Sequence, residues 1–229
     1  QGQDNAALED YRQLLREIGD LHDYSNPWLP LDALRERLLA AYRYYRDAGK
    51  FEVALQFVQS LSPLLTEPRR LELQAEAERR WGALQGMDHC AYVTWSTGIG
   101  MGLCVDGHIL RGKNGNAGHV GHTFVSDNDD ALCGCGSIGD VEALVAGNAI
   151  PRRFGSLGYT DAAMLFVASG AGDARAAAII DDLCRVMGRT LFNMIATLDL
   201  QRISIGGSVF WHHRDLLLPK VIGHVQGKL

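Results

Sequence analysis

The residues best equipped for chemistry in this 229-residue chain crowd between Asn114 and Glu142, in the run NGNAGHVGHTFVSDNDDALCGCGSIGDVE. His119 and His122 come first, then Cys133 and Cys135, then Asp140 and Glu142. Gly115, Gly118, Gly121, Gly134, Gly136 and Gly139 let the backbone between them take tight or left-handed turns. That is the composition of a loop wrapped around an ion. Cys133 and Cys135 flank one glycine, so both sulfurs can aim at one centre, whereas a disulfide between them would close a strained ring. With His122 upstream and Asp140 downstream, two thiolates, an imidazole and a carboxylate make a four-coordinate zinc set. Four protein ligands leave no open position, so the expected zinc is structural.

Two further glycine clusters invite a ligand. Ser96-Thr97-Gly98-Ile99-Gly100-Met101-Gly102 reads as a turn between strands, with exposed backbone N–H groups that phosphate oxygens can approach and a Thr97 hydroxyl beside them. It lacks the Lys-Ser/Thr ending of a P-loop. Ile205-Gly206-Gly207-Ser208 follows a second apolar strand, and strand ends are where open α/β sheets bind ligands. Taken alone, a Gly-rich hairpin is more often structural.

The elements that must hold these loops are legible in outline. Residues 1–86 read as helical. Ala7-Leu8, Tyr11, Leu14-Leu15 and Ile18 keep a 3.6 period, and Asn26-Pro27 and Pro30 break it. Asp32 is placed to cap a helix ended by Gly49, Phe51 to start a third, and Thr66 with Pro68 to open a fourth that ends near Gly86. Tyr45, Gly49, Phe51, Glu52, Ala54 and Leu55 fit the spacing of a tetratricopeptide hairpin, although an ordinary helical hairpin explains a single copy as well. From residue 87 to 229 the composition turns to α/β. HCAYVTW, MGLCV and HILRG read as strands, with Asp106-Gly107 a hairpin turn between the last two. Helices are expected over 140–147, with Pro151 limiting anything longer, then over 161–168 and 173–197, followed by a strand at RISIG.

Composition narrows the function classes. Hydrophobic residues make up 47% of the chain, enough for a sizeable core. The formal net charge is −5, with 11 basic against 14 acidic residues before Gly86 and 11 against 13 after it, so no nucleic-acid footprint is expected. No apolar run is long enough for a membrane span, and the start is not that of a signal peptide. Five cysteines, an odd number, fit a reducing cytoplasm. The chain begins with Gln1, so a native start upstream is expected.

Four blocks in order, YVTWSTGIGMG, NAGHVGHTFV, CGCGSIGDVEALVAG and ISIGGSV, resemble the signature of ROK proteins (repressor, open reading frame, kinase). The resemblance covers roughly residue 87 to the C-terminus. It implies the actin-like, ribonuclease-H-like ATPase fold, in the lobe that follows the all-α segment, and a sugar kinase or sugar-responsive regulator. It assigns Thr97, Gly98 and Gly100 to a phosphate-binding turn, Gly206 and Gly207 to the adenosine side, and Mg-ATP as co-substrate. It assigns Asn116, His119, His122 and Glu142 to the sugar, and zinc to the loop 119–142. The family's zinc set is one His and three Cys. His122, Cys133 and Cys135 match it, and Asp140 stands for the third cysteine. Where the family usually carries a Glu, His119 gives a GHVGHT form that resembles bacterial N-acetylmannosamine kinases, with glucose the other substrate implied. Family members are commonly dimers or tetramers, which implies a homo-oligomer, with no nucleic acid or membrane partner for a kinase.

Two family features have no match. The Asp-x-Gly-Gly-Thr phosphate turn is absent from residues 1–86. The catalytic Asp should lie in an Asn-Asp-Ala stretch, but this chain reads LELQAEAERRWG, with Gln74 or Ala75 nearest and Glu72, Glu76 and Glu78 out of place. A sugar hydroxyl needs a carboxylate in reach to take its proton, so the catalytic residue stays unassigned. The alternative reading is a non-catalytic sugar-binding or regulatory module. The chain is also expected to stop short of the family's final strand and helix.

Overall fold

The computed structural model describes residues 27–50, 67–126 and 131–227, with positions 6, 9–10, 13, 53–54, 57–58 and 64–65. Ala7, Leu8, Tyr11, Leu14, Leu15, Ile18, Phe51, Glu52, Leu55 and Thr66 lie outside the described residues. Helix α1 is Leu31–Asp47 and helix α2 is Glu67–Trp81. Asp32 does not cap α1. Pro30 takes the N-cap position, where no side chain bonds the backbone, and Asp32 sits in the first turn, paired with Arg35 at 2.7 Å. Gly49 follows with φ +70°, as a glycine stop requires. Leu34, Leu38 and Tyr42 of α1 pack with Ala54, Phe57 and Val58. α2 ends at Trp81, five residues before Gly86.

The sheet has four strands in the order β3-β2-β1-β4: β1 Cys90–Trp95, β2 Ile99–Val105, β3 His108–Ile109 and β4 Arg202–Gly206. β1 pairs antiparallel with β2 and parallel with β4. The β1–β2 turn is shorter than the glycine pattern implies. Only 96–98 turn, and Gly100 and Gly102 lie buried within β2. The reason is packing. A Cβ on Gly102 would lie 2.6 Å from the Ala75 Cβ of α2, so the glycine is there for a helix to approach. β3 is also shorter than HILRG implies.

Both faces of the sheet are covered, so every residue of β1 is buried. One face meets α2: Cys90, Tyr92 and Cys104 share a small core with Leu71 and Ala75. The other face presents Ala91, Val93, Trp95 and Met101 to the main core. That core is built by α3 (Val141–Val145), α4 (Ala149–Phe154), α5 (Ala162–Gly170), α6 (Ala174–Leu198) and α7 (Ser208–Val225). α5 and α6 start where the sequence places them. Asp161 accepts from Met164 N at 2.8 Å and Asp173 from Arg175 N at 2.9 Å, each satisfying a backbone donor of a first turn. Pro151 falls in the first turn of α4, where its missing N–H has no intrahelical partner to lose. No described helix is long and apolar enough to cross a membrane.

Candidate metal centre and adjoining glycine turns

The loop that carries the cysteines folds back on itself. Cys133 N donates to Ser137 O at 2.8 Å and Gly139 N to Ala131 O at 2.8 Å, closing a small knuckle. Gly136 at φ +92° makes its tight corner. The knuckle delivers Asp140 to the N-terminus of α3 with its side chain fully buried. There Asp140 has two tasks. Its Oδ1 accepts from Ala143 N at 2.7 Å as a helix cap, and its Oδ2 lies 3.1 Å from His122 Nδ1. His122 arrives from the 3₁₀ turn Val120–His122, which is held against β2 by Met101 N donating to Gly118 O at 2.9 Å.

His122, Cys133, Cys135 and Asp140 converge, their ligand atoms all within 4.8 Å of one another. His122 Nδ1 is 3.7 Å from Cys133 Sγ and 3.6 Å from Cys135 Sγ, and Cys135 Sγ is 3.7 Å from Asp140 Oδ2. Tetrahedral zinc with ordinary bond lengths sets its S···N and S···O pairs about 3.5 Å apart and its N···O pair about 3.3 Å apart. The four residues therefore fit the ion in donor type and in spacing. Without an ion, burial pushes the Cys133 thiol up to about 12, while hydrogen bonds from Ser137 hold Cys135 below the ordinary thiol value. Burial opposes charging of His122, but the hydrogen bond to Asp140 together with the negative charges of Cys135, Glu142 and Asp140 outweighs it and raises the pKa. A metal would replace the protons on both sulfurs.

The remaining sequence candidates fall into three groups. Glu142, in the first turn of α3, accepts from Ile99 N at 3.0 Å, and its other oxygen is 3.8 Å from Cys133 Sγ. His119 is half-buried, its ring 5.7 Å from that of His122, and its Nε2 is buried without a hydrogen-bond partner among the described residues. Asn116 is exposed, and its backbone carbonyl accepts from His119 N at 3.4 Å.

The glycine turns meet. Ser96 Oγ and Ser208 Oγ are 2.9 Å apart, joining the 96–98 turn at the end of β1 to the Gly206-Gly207 turn at the end of β4. Exposed Thr97 and half-buried Gly98 lie in this assembly, as does the N-terminus of α7, whose free N–H groups favour an anion. Gly100 stands apart, inside β2. α3 links turns and metal centre. Asp140 and Glu142 sit at its start, and after its end Gly147 N donates to Ser96 O at 2.8 Å and Asn148 N to Thr97 O at 3.1 Å. A five-residue helix is about 8 Å long, so the two groups of residues are near neighbours. Trp95, fully buried, fixes α3 to the sheet through Nε1 donating to Val145 O at 2.8 Å.

The glutamates near the expected base position are all engaged. Glu72 is held by Arg69 and Arg111, Glu76 by Tyr42, Arg46 and Arg80, and Glu78 accepts from Ala83 N at 3.0 Å. Gln74 Oε1 is buried and, like His119 Nε2, has no hydrogen-bond partner among the described residues. Sequence reasoning missed α7 as an element, and with it the helix terminus at the second glycine turn.

The α/β sheet that carries the cysteine knuckle and the two joined glycine turns is shared with known proteins. The ROK family model matches residues 54–227, most of the chain, so the chain belongs to the ROK family. N-acetylmannosamine kinases of Escherichia coli and Shigella flexneri are 38% identical over 140 residues, 60% of this chain and 48% of theirs. Among solved structures, a ROK hexokinase from Thermus thermophilus superposes with a TM-score of 0.62 at 33% identity, covering 69% of this chain and 56% of that one. A ROK family glucokinase from Streptomyces griseus, in complex with glucose and AMPPNP, gives 0.53 at 29% identity, covering 64% and 53%. The fold is therefore the mixed α/β lobe of the actin-like ATPases, preceded by a helical segment. The chain spans about half the length of the curated relatives it matches.

Proposed function

We propose that this chain supplies the sugar-binding and zinc-binding half of an ATP-dependent sugar kinase, with N-acetylmannosamine favoured over glucose as substrate. The observation that carries the reading is the orphaned Nε2 of His119. A buried ring nitrogen without a partner costs roughly 1–3 kcal/mol, and a sugar hydroxyl would satisfy it. In this reading His119, His122, Glu142 and Asn116 face the sugar. The set of His122, Cys133, Cys135 and Asp140 holds a structural zinc that fixes the loop presenting them. Thr97, Gly98, Gly206 and Gly207 receive the phosphates and adenosine of Mg-ATP, with Gly100 supporting the turn from within β2. The kinase names and the bound AMPPNP of its relatives agree with this.

Gln74 favours a second reading. An amide cannot take a proton from a sugar hydroxyl, and Glu72, Glu76 and Glu78 are tied up in other bonds. A chain with this set would bind sugar without phosphorylating it. The test is to titrate folded, zinc-loaded protein with N-acetylmannosamine, N-acetylglucosamine and glucose, then to measure ADP release with Mg-ATP. Sugar-dependent ADP supports the kinase. Saturable sugar binding with no ADP above the no-sugar rate selects the binding module. Absence of sugar binding rejects both.

His119→Ala is expected to weaken sugar binding about tenfold, the worth of one good hydrogen bond, while zinc content stays at the wild-type value. Loss of zinc in this variant would move His119 from the sugar to the metal.

A further inference from the structure

A cavity of about 650 Å³ opens between α1, α2 and β3, a volume in the range of small-molecule sites. None of the metal ligands or glycine-turn residues lines it. Its walls carry six arginines, Arg43, Arg46, Arg69, Arg79, Arg80 and Arg111, against two carboxylates, Glu72 and Glu76.

The charges can be followed one by one. Glu72 is gripped by Arg69 and by Arg111, the latter at 2.6 Å. Glu76 lies 3.4 Å from Arg46 and 3.3 Å from Arg80. From outside the cavity Asp47 pairs with Arg46 and Asp88 with Arg79, each at 2.8 Å. Burial, aided by Glu76, raises the pKa of Tyr42, so that wall residue stays neutral. Arg43 is exposed and has no ion pair or hydrogen bond among the described residues. Six positive charges thus face four negative ones, and two are left over.

We infer that this cavity binds a phosphate monoester or free phosphate, whose charge near −2 at neutral pH would balance that surplus. Guanidinium forks suit the ligand, since they offer paired donors to phosphate oxygens. Arg43 contributes an uncommitted charge, and the other arginines can share donors that their carboxylates leave free. His108, on the same wall, adds a ring nitrogen. The inference does not rest on the sugar-kinase reading, because it uses different residues.

The experiment titrates the full chain, zinc-loaded and at low ionic strength, with glucose 6-phosphate and separately with inorganic phosphate, followed by calorimetry. The partner variant is Arg43→Glu, a change at an exposed side chain with no bond to break. Saturable binding of either probe that weakens at least about tenfold in the variant supports the site. Tighter binding of the ester identifies a phosphorylated metabolite, and tighter binding of phosphate the free ion. Failure of both probes to saturate in the millimolar range overturns the inference, and so does saturation that Arg43→Glu leaves unchanged.

Discussion

Cys133→Ser is expected to leave the chain without zinc and to lower its melting temperature by on the order of 10 °C. Cys133 is the buried sulfur of the set, fixed by the knuckle hydrogen bond to Ser137 O, while Cys135 is exposed. A serine hydroxyl there is neutral at any working pH and is not a zinc ligand of this kind. The remaining three groups would hold the ion weakly. The stability effect follows because the metal joins three separate pieces of chain: the 3₁₀ turn with His122, the cysteine knuckle, and the cap of α3. Unfolding scatters them, so metal affinity adds directly to folding. Metal analysis of the purified protein and thermal melts with and without a chelator check this. The chelator should bring the wild-type melt down to that of the variant and leave the variant unmoved. Zinc at wild-type stoichiometry in Cys133→Ser would remove the site.

The clustering of His122, Cys133, Cys135 and Asp140 was legible in the sequence because these residues are close in the chain and chemically distinctive. Asp140 shows where that legibility stops. Read as a ligand, it also caps α3, and one carboxylate oxygen serves each task. Spacing cannot reveal the division, because it depends on which way the knuckle turns. The starts of α5 and α6 were readable to within one residue, and the structure adds that Asp161 and Asp173 cap them. Pro30 displaced Asp32 at α1 because an extended proline already breaks the chain there, leaving the acid free to pair with Arg35.

α7 escaped for physical reasons. Its N-cap is Gly207, which has no side chain to signal a start, Pro219 lies inside it, and His213 departs from helical geometry. Tertiary packing of Val209, Phe210, Leu217 and Val221 holds the helix despite these. Gly100 and Gly102 misled in the opposite sense: both read as turn but are strand positions, and at Gly102 a helix crosses closely. The contact of Ser96 with Ser208 and the arginine cavity were beyond local reading, because each joins residues from distant elements.

Gly207→Ala is expected to destabilise the chain by about 2–5 kcal/mol, from a left-handed backbone penalty and an overpacked contact together. Gly207 sits at φ +92°, and an added Cβ would lie 2.6 Å from Trp95 C and 2.7 Å from Trp95 N, closer still to the Trp95 carbonyl oxygen. Those neighbours are backbone atoms of the central strand, so no side-chain movement can relieve the clash. Gly170→Ala is the matched control: nothing lies within 4 Å of its built Cβ, and its φ is not in the left-handed region. Denaturant unfolding of both variants tests the contrast, and a Gly207→Ala midpoint equal to wild type would refute it. The consequence reaches the site as well. Close approach of Gly207 to Trp95 is what brings the Ser208 hydroxyl to Ser96. Relief of the clash must therefore part the two glycine turns. If those turns receive a nucleotide, Gly207→Ala that remains folded should lose AMPPNP binding while keeping its zinc, since the metal ligands lie at the far end of α3.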